Sequence, residues 1–476
     1  MSLPELPAPI KEKGFIHTIL AALRGEEQDY TKVNIKRAVV LLAIPMIIEM
    51  GMESVFALVD LYFVGRLPDS EHNIQTVGLT ESVLSLVYSL GFGFSMAATA
   101  LIARRVGEKD PKAASHAALQ SIWLTALIGI VLSIIGYFTA PAVLQWMGAE
   151  PATVRHGAVF ARLELASSLV IMLLFMINGI FRGAGDASMA MRSLMLANIC
   201  NIIICPLLIN GLGPIPAFGL NGAALATIIG RSIGVCYQLY QLLSGRSQVK
   251  LPWRTDWKPD FPVIGNLVKL ALPVTGQFII GSCSWIFLAR LVAETGQATA
   301  SAGYQTAIRI LVFFILPAWG MSNAAATLVG QNLGAKQPDR AEASVWVTAR
   351  YNAIFMGSVM FIFLLGAPWV VGWFTPVAEV RETASLALRV MCAGYIFYGI
   401  GMVLANAFNG AGDTKTPTWI NLVGFWLFQV PFAYLLAKAL HLGPLGVFIA
   451  IPVSETAMAI AAWVIFKRGR WKEIKI

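Results

Sequence analysis

About twelve long apolar runs, each with room for the roughly 20 residues that cross a roughly 30 Å hydrocarbon core, constrain this chain more than any other feature. Their approximate cores are 38–62, 77–101, 117–140, 158–181, 190–210, 219–243, 263–291, 300–328, 345–371, 383–408, 418–440 and 444–466. Composition agrees: only 13% of the 476 residues are charged, against about 25% in an average soluble domain, and most charges fall between the runs. Lipid offers no partner to an exposed backbone amide, so the spans must be helices or a closed barrel. Apolar blocks of this length without period-2 alternation select helices, and the expected class is an all-α polytopic membrane protein.

Basic residues predict the orientation. Alternate short loops hold about 24 Lys and Arg on one side, among them Lys36, Arg37, Arg104, Arg105, Lys109 and Lys112, and about four on the other. This rule puts both termini in the cytoplasm. The net charge of +9 follows from the same asymmetry, so anionic lipid headgroups rather than nucleic acid are the expected partners of the basic faces. No cleaved signal peptide is expected, because prolines and charges precede the first apolar run. Residues 15–23 read either as a short interfacial helix or as a solvated lead-in. The five cysteines, all within spans, read as small packing groups rather than a disulfide framework.

Three matched segments reveal an internal repeat. Phe181-Arg182-Gly183-Ala184-Gly185-Asp186 returns 227 residues later as Phe408-Asn409-Gly410-Ala411-Gly412-Asp413. The stretch 100–109, ending Val106-Gly107-Glu108-Lys109, returns at the same offset as 327–336, ending Leu333-Gly334-Ala335-Lys336, and Ala43-Ile44-Pro45 returns as Ala271-Leu272-Pro273. Two halves of six spans each share one topology and are related by a pseudo-two-fold axis along the membrane normal, an arrangement found in transporters. The division is a cytoplasmic segment 1–37, an N-lobe 38–243, a cytoplasmic linker 244–262 containing Pro252, Pro259 and Pro262, a C-lobe 263–466 and a basic tail 467–476. The Gly-Ala-Gly-Asp segments follow no strand and no phosphate-loop signature exists, so they read as tight turns with Asp186 capping the next helix. Without an enzyme motif or an ATPase module, the expectation is no catalysis, no cofactor, no structural metal and transport driven by an ion gradient.

Carboxylates within a span are costly, about 2.5–3.5 kcal/mol on insertion scales, and mark function. The first span holds Glu49, Glu53 and Asp60, which fall on one helical face. Glu49 and Glu53 lie near mid-depth, level with Arg231 of the sixth span, and an ion pair of Arg231 with one of them is expected. Asp60, about 10 Å further along the rise, is the candidate for reversible protonation or cation binding. Phe56, Met172, Phe175, Met176, Phe278, Trp285, Tyr304 and Trp319 are candidate walls of an apolar cavity.

The Ala43-Ile44-Pro45 segment, Val59-Asp60-Leu61-Tyr62-Phe63-Val64-Gly65, the two glycine turns and Leu328-Val329-Gly330-Gln331-Asn332-Leu333-Gly334-Ala335 together resemble the MATE (multidrug and toxic compound extrusion) family over essentially the whole chain. The resemblance implies twelve helices in two lobes around a V-shaped cavity, and antiport of cationic or amphipathic small molecules against H+ or Na+ by a monomer. Asp60 resembles the N-lobe acid that binds the coupling ion, Pro45 the proline at which the first helix bends, and Asn201 and Thr227 two further members of that site. Cys205 stands where an Asp is usual. A thiol is a poor ligand for a hard cation, so the departure favours H+. No acid follows Pro273 before Glu294 where the NorM-like branch has one, which places the chain nearer the DinF-like branch and excludes that C-lobe mechanism. An alternative within the superfamily is a flippase for a lipid-linked or amphipathic metabolite, which predicts basic cavity walls, with Arg231, Arg290 and Arg309 as candidates. A receptor or scaffold without transport would leave the intramembrane acids without purpose.

Overall fold

The computed structural model describes residues 14–26, 28–65, 67, 70–211, 213–214, 216–245, 247–251 and 258–476, and among these every regular element is helical. The N-terminal half comprises α1 (Phe15–Arg24), α2 (Ile35–Val64), α3 (Ser70–Gly107), α4 (Pro111–Trp146), α5 (Pro151–Ala166), α6 (Ser168–Ala184), α7 (Ala187–Asn210) and α8 (Leu220–Leu243). The C-terminal half comprises α9 (Phe261–Gly334), α10 (Pro338–Gly372), α11 (Ala378–Cys392), α12 (Tyr395–Ala411), α13 (Lys415–Asn421), α14 (Val430–Tyr434) and α15 (Pro444–Lys467). Ten segments are long and apolar enough to cross a membrane, eleven with the bent pair α11 and α12. The remaining long helix, α8, is interrupted by Asn221, Arg231, Gln238 and Gln241, which face the protein interior or its cavities rather than lipid.

Helix α9 contains two spans. Phe278 and Trp319 have ring centroids 5.0 Å apart, whereas a straight helix would separate them by about 60 Å, so the chain doubles back between Gly296 and Ala298. The eleventh apolar run widens into π-helical turns at Leu422–Gln429 and Leu435–Ala439.

Local chemistry explains the ends of these rods. Asp110 and Asp260 accept hydrogen bonds from the backbone amides of Ala113 and Val263, capping α4 and α9 just before or beside a proline. The two glycine turns form as expected, with Gly185 at φ +89° and Gly412 at φ +91°, a region other residues avoid. Asp186 differs from expectation: its carboxylate accepts from the Ser188 hydroxyl and makes no capping bond to the α7 backbone, whereas Asp413 accepts from both the amide and the hydroxyl of Thr416. The repeat extends to the backbone, since Lys109 and Lys336 share φ +59°.

The halves meet at the end of the bundle that carries both described ends of the chain. There Thr327 donates to the Arg182 carbonyl and Gln331 to the Gly183 carbonyl, at 3.0 and 3.1 Å. Helix α1 packs Ala21 and Ala22 in one core cluster with α2. The segment expected as a basic tail is folded onto both halves. Trp471 is buried against Phe466, Lys472 lies 2.6 Å from Glu342, Arg104 donates to the Ile474 carbonyl, and Ile476 covers Gly412. Deleting 470–476 is expected to lower thermal stability in detergent by the equivalent of a lost core tryptophan, about 3–5 kcal/mol, measured as a shift in unfolding midpoint; an unchanged midpoint would show that the docked tail adds no stability.

Candidate functional site

Among the described residues, two cavities stand out within the bundle, one lined mainly by the N-terminal half and one mainly by the C-terminal half. The first, of about 450 Å³, is lined by Glu53 of α2, Glu81 and Tyr88 of α3, Glu164 of α5, and Thr227 and Arg231 of α8. Arg231 donates to the Tyr88 hydroxyl at 2.9 Å and lies within electrostatic reach of Glu53 and Glu164. Three carboxylates line this chamber with one guanidinium, and Arg309 of α9 lies within electrostatic reach of Glu81 from outside the lining, so the chamber remains acidic and its low-dielectric walls focus that field on an entering cation. The second cavity, of about 310 Å³, lies in the C-terminal half and includes Gln277, Trp285, Tyr398, Asn409 and Glu455.

An aromatic partition separates them. Phe278 and Trp319 line both cavities, and Phe92, Phe278 and Trp319 stack mutually with centroids 5.0–5.4 Å apart and planes inclined by 25–28°. Phe92 and Trp319 are 227 residues apart, so partners in the repeat meet at the seam.

Similarity to known proteins agrees with this architecture. The MatE family model matches the chain twice, over residues 45–207 and 273–435, each match opening on the paired helix prolines Pro45 and Pro273. The chain belongs to the MatE family. It is 24% identical to the probable multidrug resistance protein NorM of Thermotoga maritima over 92% of this chain and 94% of that one. It is 24% identical to the probable multidrug resistance protein YoeA of Bacillus subtilis, over 94% and 97%. Among solved structures, a MOP superfamily transporter from Pyrococcus furiosus superposes with a TM-score of 0.87 at 26% identity, covering 94% of this chain and 98% of that one; reverse polarity of its binding pocket is said to suggest a different function for it.

In this MatE chain the expected site residues fall into three groups. Asn201 donates to the Thr227 hydroxyl at 3.3 Å, so these two are brought together, with Thr227 at the chamber wall. Cys205, one turn along α7, is a buried thiol that packs in a cluster with Phe160, Leu220 and Ala223, and a thiol is a poor ligand for a hard cation. The side chains of Asp60 and Phe56 lie outside the described residues; the backbone of α2 is helical through both positions and continues to Val64, which lines the chamber.

Of the two acids expected beside Arg231, Glu53 and Glu49, only Glu53 faces it. Glu49 pairs with Arg182, whose Nη1 lies 3.4 Å from Oε1, both side chains being at most 4% exposed. Arg182 also donates to Ser95, at 2.7 Å. The apolar run of the fourth span ends at residue 181, whereas α6 continues through Ala184 and carries Arg182 into the protein. Glu53, not Glu49, faces Arg231 and the cavity. Of the expected aromatic walls, Phe175, Phe278, Trp285 and Trp319 line cavities. Met172 and Met176 do not, being packed in the N-terminal core with no exposed surface, and Tyr304 is stacked on Phe448 in the C-terminal core.

Glu81, Glu164 and Glu455 were not anticipated. Their signal is present in the sequence, because each lies within an apolar run and the rule that selected Glu53 applies to them equally.

Proposed function

We propose that this MatE transporter is a secondary antiporter of the prokaryotic inner membrane that exports cationic or amphipathic organic compounds in exchange for H+, with its basic end and both termini in the cytoplasm. The observation that carries the reading is the acidic N-lobe chamber, in which Glu53, Glu81 and Glu164 outnumber Arg231 beside the Asn201–Thr227 pair. Asp60, two turns beyond Glu53 on α2, is the proposed coupling acid. Cys205, a thiol where the resemblance expects a carboxylate, supports H+ over Na+. Rocking of the two lobes about the linker supplies alternating access, and one charge entering at 100 mV supplies about 2.3 kcal/mol, enough for roughly fifty-fold accumulation. A flippase for a lipid-linked compound, the second reading, calls for basic walls, whereas Arg290 is 78% exposed and paired with Glu294.

In proteoliposomes, efflux of a fluorescent lipophilic cation is expected under a pH gradient alone and not under a Na+ gradient alone, and Asp60→Asn is expected to abolish it. Efflux that needs Na+, or persists in Asp60→Asn, would overturn proton coupling at Asp60. Absence of efflux under either gradient would overturn cation export.

A further inference from the structure

The pseudo-two-fold axis pairs α8 with α15. Each is 24 residues long and follows a glycine in the same unusual conformation, Gly219 at φ +56° and Gly443 at φ +57°. Counting from those glycines, the twelfth residue of α8 is Arg231 and the twelfth of α15 is Glu455. The same position therefore carries opposite charge in the two lobes.

The surroundings are exchanged as well. In the N-lobe, Arg231 faces Glu53 and Glu164, so that chamber contains its own counter-ion. The repeat equivalents of those two acids in the C-lobe are Gly281 and Met391, and no Lys or Arg lines either pocket that includes Glu455. Among the described residues Glu455 has no hydrogen-bond or ion-pair partner, although Ser454 beside it is held by Gln429 at 2.7 Å, which fixes this turn of α15. A carboxylate at membrane depth without a protein cation is expensive unless a proton neutralises it or a ligand supplies the opposite charge. The walls around it match a cation with an apolar body: Trp285, Trp319 and Phe278 are aromatic linings, and Met402 gives an adaptable surface.

We infer that the C-lobe chamber is a second binding subsite, taking a monovalent organic cation whose charge rests against Glu455 and whose apolar body lies on Trp285 and the aromatic partition. This deepens the export reading and rests on it, dividing labour between lobes: the chamber beside Asn201 and Thr227 handles the coupling ion, and the Glu455 chamber holds the cargo. The separation also explains why loading one site need not displace the other directly, since Phe92, Phe278 and Trp319 stand between them.

The test is equilibrium binding of tetraphenylphosphonium to the purified full-length transporter, read by tryptophan fluorescence and compared with a neutral tetraphenyl compound of the same size. Glu455→Gln preserves shape and removes charge; it is expected to weaken cation binding at least about tenfold while neutral binding changes less than about twofold. Met402→Trp, which fills the chamber without altering the carboxylate, is expected to weaken both ligands. It serves as the second variant if Glu455→Gln fails to fold as judged by size-exclusion chromatography. Wild-type affinity in a folded Glu455→Gln or Met402→Trp would overturn the subsite and leave the export reading standing. Failure of the wild type to bind this cation would overturn both, and equal weakening of cation and neutral ligand in Glu455→Gln would assign Glu455 a packing role only.

Discussion

Replacing Gly107 with leucine is expected to abolish transport and to lower the unfolding midpoint sharply, and Gly334→Leu is expected to do the same. These glycines are 227 residues apart and face each other's helices where α3 crosses α9. A Cβ on Gly107 would lie 2.0 Å from the Gln331 carbonyl oxygen, and one on Gly334 would lie 2.2 Å from the Arg104 carbonyl oxygen. Both obstacles are backbone within regular helix, so no side-chain rotation relieves the clash and the helices must separate. Overpacking typically costs about 1–3 kcal/mol, and leucine at a backbone crossing belongs at or above the upper end. Separation here also strains the seam through which Thr327 and Gln331 bind the carbonyls of Arg182 and Gly183. The closed basic end would be lost, and alternation with it. Because both substitutions open one crossing, the double variant is expected to cost less than the sum of the singles. Gly366→Ala is the control, since nothing lies within 4 Å of a Cβ there and alanine favours the helix. Transport at wild-type rate by Gly107→Leu would mean that the tight crossing is not needed for alternation.

The contrast between these glycines and Asp60 indicates what sequence can and cannot disclose. Spans, turns and the duplication are legible because each is a one-dimensional property: an apolar run, a glycine at a fixed place, an offset repeated along the chain. Gly107 and Gly334 were visible as members of the repeat, but their mutual contact was not, because crossing geometry depends on how two helices six spans apart meet. The burial of Arg182 was hidden for the same reason. A span boundary set by hydropathy stops at the first charge, whereas the real α6 runs three residues further because its last turn is buried by α2, α3 and α9 rather than by lipid. Helix α8 is the opposite case, a span whose polar residues depress its hydropathy because they face protein. Asn201 and Thr227 could be brought together from the resemblance alone. Glu455 could have been found by applying the intramembrane-acid rule to every run, but its correspondence with Arg231 emerges only when helix starts are aligned on Gly219 and Gly443.

The same alignment gives the other large prediction, at the buried pair Glu49–Arg182. Glu49 corresponds in the repeat to Gln277, and Arg182 to Asn409. In the C-lobe these two amides bind each other reciprocally, Gln277 donating to the Asn409 oxygen at 3.1 Å and Asn409 donating back at 3.2 Å. One structural tie is therefore built twice, as an ion pair in one lobe and as a neutral amide pair in the other. Removing one partner of the ionic version leaves an uncompensated charge where side chains are almost fully buried, so Arg182→Asn alone and Glu49→Gln alone are each expected to cost about 3–5 kcal/mol. The double variant Glu49→Gln with Arg182→Asn copies the C-lobe pair and carries no charge, and it is expected to recover most of that loss. A double-mutant cycle on unfolding free energy in detergent measures this, and a coupling of at least about 2 kcal/mol is expected. Additive losses would mean that the two side chains act independently, with Ser95 rather than Glu49 as the partner that matters to Arg182. Recovery of stability without recovery of efflux would carry a different meaning: the charge itself, and not only the tie between α2 and α6, would be needed for transport.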